Sequence, residues 1–121
     1  MPPTRTPAHR LPLQSNVFLI LLSLADGATH GYRIRQAVIE RSQGAVQLDP
    51  GSLYRMMARL LEEGLIDEAD PPPRADKDDD RRRYYGLTKA GRAALVVETD
   101  RLAELVAASR ARTARKRPRH A

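Results

Sequence analysis

The chain has 121 residues, with 21 Lys+Arg against 15 Asp+Glu, 41% hydrophobic residues, and neither Cys nor Trp. This length fits one ordinary domain with a modest core, and the hydrophobic share is too high for a wholly disordered polymer. The absence of Cys excludes disulfides, thiolate zinc sites and a Cys nucleophile. The longest apolar run, Val17 to Leu22, falls far short of the ~18 residues of a membrane span, and no cleavage-site pattern follows it. The expected setting is cytoplasmic, with no membrane partner.

The charge is uneven. The bases Arg110, Arg112, Arg115, Lys116, Arg117 and Arg119 carry the whole excess, and the rest of the chain balances. Residues 109–121 read as a solvated basic tail, with the alternative that Arg110 and Arg112 extend the last helix. Residues 1–12 hold Pro2, Pro3, Pro7 and Pro12 and read as a flexible leader.

Ser15 or Asn16 is expected to cap a first helix to about Ala25, ended by Asp26-Gly27. It is apolar on most sides and therefore needs cover on most sides. Thr29 is the expected cap of a second helix to about Ser42, where Ile34, Ala37, Val38 and Arg41 keep helical spacing and Gly44 is the stop. Ala45 to Leu48 reads as a short extended piece. Asp49-Pro50 opens a third helix with Asp49 as cap and Pro50 in its first position. Leu53, Met57, Leu60 and Leu61 share one face. Gly51, Ser52, Arg55, Arg59 and Glu62 share the other, with Tyr54 at the border. Gly64 ends this helix.

Leu65 to Ala69 and Arg81 to Leu87 read as two strands of a hairpin. Between them Pro71-Pro72-Pro73 and Asp76, Asp78, Asp79 and Asp80 demand an exposed loop. Thr88 caps a fourth helix. Its Leu95, Thr99, Leu102 and Val106 repeat at alternating spacings of four and three, and Leu105 widens the stripe. A lone terminal helix with so broad an apolar face has little of its own domain to bury against, so a homodimer is expected through these residues and through Phe18 and Leu22. The fold class is mainly α with a small β-hairpin. Residues 13–87 form a winged helix-turn-helix and 88–108 a dimerisation helix.

The third helix suits the major groove, with small groups at its start and longer donors beyond. Ser52 and the first-turn amides would meet a phosphate, and Arg55 would donate to guanine. The plain alternative is an amphipathic helix with solvated arginines. The neighbouring Arg81-Arg82-Arg83 run favours the groove, since arginines position phosphates well. Of Tyr84 and Tyr85, one should be core, and the other would offer its hydroxyl to a phosphate. No catalytic constellation stands out. His9, His30 and His120 are far apart, His30 reads as a turn or helix-start residue, and the acid run lacks the spacing of a calcium loop. No cofactor or metal is expected.

Several linked motifs now carry a resemblance. His30-Gly31-Tyr32, Gly51-Ser52-Leu53-Tyr54, Arg59-Leu60, Glu62-Glu63-Gly64-Leu65-Ile66 and Arg83-Tyr84-Tyr85-Gly86-Leu87-Thr88-Lys89-Ala90-Gly91-Arg92 resemble the PadR family of bacterial transcription regulators, in its short subclass with a single terminal helix. The similarity runs from about Leu13 to Val106. It implies a homodimeric winged-helix repressor whose third helix reads a double-stranded DNA operator. The first and last helices would form the dimer interface, and Tyr32 joins the candidate DNA contacts. It also implies release from DNA by a small hydrophobic effector, as in some members. Two departures stand out. Arg55 replaces the proline common after the recognition-helix tyrosine, and the effector-stacking tryptophans of some relatives have no counterpart. Two other readings stay open: a dimeric winged-helix adaptor for protein, and a nonspecific nucleic-acid binder driven by the tail.

Overall fold

A computed structural model describes residues 12–73 and 82–116. Most of the leader, the acidic loop with Arg81, and the end of the tail lie outside the described residues.

The first helix, α1 (Ser15–Ser23), buries Ile20 and Leu21. Gln14 holds the cap position and gives no side-chain cap, while Asn16 Oδ1 accepts only from the neighbouring Val17 N–H, at 2.9 Å. The helix stops two residues short of Ala25.

Thr29 does not cap the second helix. Thr29–His30 form a short strand, β1, and α2 (Gly31–Arg41) starts one residue later. Its cap is the imidazole of His30, whose Nδ1 accepts from Arg33 N–H at 3.3 Å. Ile34 and Val38 face the core. The turn that follows needs two left-handed residues in succession, Gln43 (φ 55°) and Gly44 (φ 82°). Ser42 Oγ steadies it by accepting from Val46 N–H at 2.9 Å. Residues 45–48 form no strand; Leu48 instead plugs into the core while its carbonyl accepts from Arg35 Nε.

Asp49 and Pro50 open α3 (Pro50–Glu62) as expected, with Asp49 Oδ1 accepting from Ser52 N–H at 2.7 Å. Leu53, Met57 and Leu60 are its buried stripe. At its end Gly64 takes φ 77° and Leu65 N–H donates back to the Leu60 carbonyl at 3.0 Å, the glycine-terminated helix stop.

Strands β2 (Ile66–Ala69) and β3 (Tyr84–Leu87) pair antiparallel, from Ile66 opposite Leu87 to Ala69 opposite Tyr84. Both are shorter than the sequence suggests. The sheet order is β1-β3-β2, so the wing's return strand is the central one, paired on its far edge to the start of the helix-turn-helix.

Thr88 then launches α4 (Lys89–Lys116). Its Oγ1 accepts from Gly91 N–H at 2.9 Å and donates to the Gly64 carbonyl at 2.6 Å, while its N–H donates to the Leu65 carbonyl at 3.1 Å. The helix runs past the expected boundary at Ala108. Beyond Val106 the chain is mostly Ala and Arg with no Gly or Pro before Pro118. Strong helix propensity carries the basic stretch on as helix. This is the alternative in which Arg110 and Arg112 extend the rod.

The core is one cluster. Ile20, Leu21 and Leu24 from α1 meet Ile34, Val38, Leu53, Met57 and Leu60, with Leu65, Ile66 and Tyr85 from the wing. Only Ala94 and Leu95 of α4 are buried in it. No described helix is long and apolar enough to cross a membrane.

Candidate nucleic-acid interface

The buried stripe of α3 turns its other side outward. Gly51, Tyr54, Arg55, Arg59 and Glu62 are exposed, Ser52 is half-buried, and Tyr54 reaches 64% exposure. Amphipathic patterning therefore places the expected groove residues on the open face. The helix start is occupied in a way the sequence reading missed. Asp49 already takes the Ser52 amide, and the Ser52 hydroxyl lies 3.4 Å from its other carboxylate oxygen. Arg55 folds back, its Nη2 donating to Ser52 Oγ at 3.2 Å. The backbone hydrogen bond from Ser52 holds the Asp49 carboxyl below its ordinary range. The amide expected to receive a phosphate thus serves the cap, and Arg55 must swing outward to reach a base edge. Arg59 stays open, with Glu63 3.8 Å away in an exposed pair that contributes little.

Facing α3 is the base of the wing. Between them lies an open cleft of about 480 Å³, with Leu53, Met57 and Tyr85 in its lining and Tyr32, Tyr54, Arg82 and Arg83 around them. Tyr32, at 57% exposure, projects from the first turn of α2, so three elements converge on one polar, cationic, aromatic surface. Arg83 lies 3.7 Å from Glu68, both largely exposed.

The two tyrosines of β3 correct the sequence reading. Tyr85 is core as expected, and burial pushes its phenol above the ordinary range. Tyr84 is only 4% exposed and meets His30 edge-on, with ring centroids 5.4 Å apart. Tyr84 is therefore buried beside the His30 ring and is not the open tyrosine expected from the sequence. Arg82 and Arg83 precede the strand, and the expected strand alternation does not extend to them.

The residue that sequence reasoning undervalued is His30. It is 5% exposed, caps α2, pairs in register with Tyr84, and lies 6.4 Å from the Tyr32 ring at an interplanar angle of 18°. Its signal was a polar residue directly ahead of a helix in the His-Gly-Tyr triplet.

The expected dimer residues divide. Leu105 and Val106 are about half exposed on α4, Phe18, Leu22 and Leu102 are half-buried, and Thr99 is exposed with its hydroxyl donating to the Leu95 carbonyl. Leu95 itself belongs to the chain's own core, because the first turns of α4 dock on α1 and the wing. Val96 and Val97 are also exposed and were not anticipated. Glu98, also missed, is buried on α4. Its carboxylate accepts from Arg101 Nε and Nη2 at 2.7 and 2.8 Å and from Leu13 N–H at 3.2 Å. The Arg101 hydrogen bonds hold it below the usual range, against the effect of burial. Among the described residues no cluster of three or more His, Asp or Glu could hold a metal.

A short second helix, a turn, an amphipathic third helix and a three-stranded antiparallel wing define a winged helix-turn-helix protein. Residues 20–97 match the Transcriptional regulator PadR-like family, and the chain belongs to it. Transcriptional regulator Rv3488 of Mycobacterium tuberculosis is 36% identical over 71% of this chain and 74% of its own length. An uncharacterized 37.1 kDa protein in transposon TN4556 of Streptomyces fradiae is 41% identical over 72% of this chain, which spans only 23% of that longer protein. A PadR family transcription regulator from Clostridium difficile superposes with a TM-score of 0.65 at 21% identity, covering 83% of this chain and 98% of its own. Bacillus subtilis PadR, solved in complex with operator DNA, superposes with a TM-score of 0.55 at 22% identity over 68% of this chain and 45% of its own.

Proposed function

We propose that this chain is a homodimeric repressor that binds a specific double-stranded DNA operator. The observation that carries the reading is the convergence of the open face of α3 with Tyr32 and the wing arginines on one cationic, aromatic surface. A recognition helix flanked by phosphate-positioning arginines is what groove binding requires. Relatives named as transcriptional regulators, one of them solved on its operator, support it. The dimer reading rests on α4, which buries only its first turns at home and leaves Val96, Val97, Leu105 and Val106 exposed. A groove of about 320 Å³ between α1 and α4, bordered by Leu13, Phe18, Leu19 and Leu102 and by the polar Ser15, Glu98 and Arg101, is the place for a small, largely hydrophobic effector that releases the DNA.

Selection of bound duplexes from a random-sequence library tests the function. The expected result is a pair of palindromic half-sites about one helical turn apart. An enriched pool with no shared sequence would identify a nonspecific binder, and no enrichment at all would favour the protein adaptor.

A further inference from the structure

We propose that Ala58 is a specificity-determining residue of α3, reading the 5-methyl group of a thymine in the major groove; this rests on the operator-binding reading above. The inference starts from how the open face of α3 is laid out. Tyr54, Arg55, Ala58, Arg59 and Glu62 are exposed, while Leu53, Met57 and Leu60 face the core. Residues four apart are neighbours along a helix face. Tyr54, Ala58 and Glu62 therefore form one row, and Gly51, Arg55 and Arg59 form the row beside it. The second row is cationic. The first begins with two apolar groups, the Tyr54 ring, which also lines the cleft beneath the wing, and the Ala58 methyl. Ala58 is thus a short apolar residue in the middle of the face, with Tyr54 and Arg55 one turn before it and Glu62 one turn after.

A side chain that ends at Cβ meets a base only where the base itself projects toward the helix. The apolar group that projects into the major groove is the 5-methyl of thymine; the other edges there present ring nitrogens, carbonyl oxygens or exocyclic amines. Alanine neither donates nor accepts. Seating it against a polar edge strips water from that edge and returns no hydrogen bond. Seating it against a methyl removes apolar surface from water on both sides. The same residue therefore favours one base and disfavours the others. The two rows divide the work: the arginine row offers donors to acceptors such as those of guanine, and the Tyr54–Ala58 row offers a notch for a methyl.

Deoxyuridine isolates the methyl, because it lacks only that group and keeps the base pair. The full chain is titrated with the duplex enriched from the random library, unmodified and with thymines replaced singly by deoxyuridine. Wild type is expected to lose about fourfold in affinity at one thymine of each half-site, the worth of one buried methyl. Ala58→Gly removes the Cβ and should bind the thymine and deoxyuridine duplexes alike, no more tightly than wild type binds the deoxyuridine form. Glycine weakens a helix interior, so Ala58→Ser is measured beside it, with a melt by circular dichroism to show that each variant is folded. A hydroxyl facing the methyl should likewise shrink the response. The proposal is overturned if no thymine of the enriched site responds to loss of its methyl in wild type. It is also overturned if the response persists at full size in a folded Ala58 variant. Both outcomes leave a sequence-specific duplex in place and so spare the operator reading. If wild type enriches no shared sequence, the operator reading falls and this one with it.

Discussion

Gly91→Ala tests whether the join between wing and α4 is as tight as its geometry implies. On helix propensity alone the substitution stabilises, since alanine exceeds glycine by about 1 kcal/mol in a helix interior. The surroundings reverse the sign. A Cβ on Gly91 would stand 2.0 Å from the Leu65 carbonyl oxygen and 3.0 Å from its carbon, with Leu87 Cδ2 at 3.2 Å. An ordinary carbon–oxygen contact is about 3.3 Å, so helix and carbonyl must part by more than an ångström. That carbonyl is the acceptor of Thr88 N–H, a bond worth about 1 kcal/mol. Overpacking against backbone adds roughly 1–3 kcal/mol. After the propensity gain, the net loss is about 1–3 kcal/mol, which for a domain of this size lowers Tm by roughly 10 °C. Thermal and urea melts followed by circular dichroism, at one fixed protein concentration, measure it. A variant as stable as wild type, or more so, would refute the close approach. Gly64→Ala is the contrast. Nothing crowds its Cβ, and only its φ of 77° opposes the change, so its destabilisation should be the smaller of the two.

Arg55→Ala should lower discrimination between operator and random duplex by about 1–3 kcal/mol in competition binding, and equal weakening on both would assign Arg55 to phosphate only. Leu105→Glu places a charge on an open apolar stripe without touching the core, so sedimentation should show folded monomers; a stable dimer would move the interface elsewhere on α4. Glu98→Gln should reduce stability at neutral pH and flatten its acid dependence. Because Arg101 holds the folded carboxyl below its unfolded value, the wild-type advantage is full above about pH 4.3 and disappears as pH falls through the folded value. An advantage that grows on acidification would contradict this assignment.

The elements set by local chemistry were legible. Asp49-Pro50 marks the start of α3, its apolar spacing marks the buried face, and Thr88 marks α4; all follow from capping and periodicity. What sequence could not show depends on long-range pairing. A strand as short as Thr29–His30 has no periodicity, and it exists only because β3 lies beside it. That pairing explains why Thr29 reads as a cap and is not one, and it brings the His30 ring against Tyr84, which is buried. It also hides the burial of His30, whose strand partner Tyr84 lies more than 50 residues away. The end of α4 was misplaced for a different reason. Charge density suggested an unstructured tail, and the Ala-Arg composition makes helix. The contact of Arg55 with Ser52, its neighbour along the chain, was not legible either, because residue spacing alone does not say which rotamer a long side chain takes.

The Thr88 junction has a mechanical consequence. The carbonyls of Gly64 and Leu65, at the exit of α3, are the groups that receive Thr88, at the root of a rod about 42 Å long. One degree of tilt at that root displaces the far tip by about 0.7 Å over such a length. If two subunits join along their rods, as proposed above, the gap between their α3 helices is set at this root, where the Thr88 contacts act together with the packing of Ala94 and Leu95 in the core. In that reading, the stiffness of the root would set how much variation in operator spacing the pair tolerates.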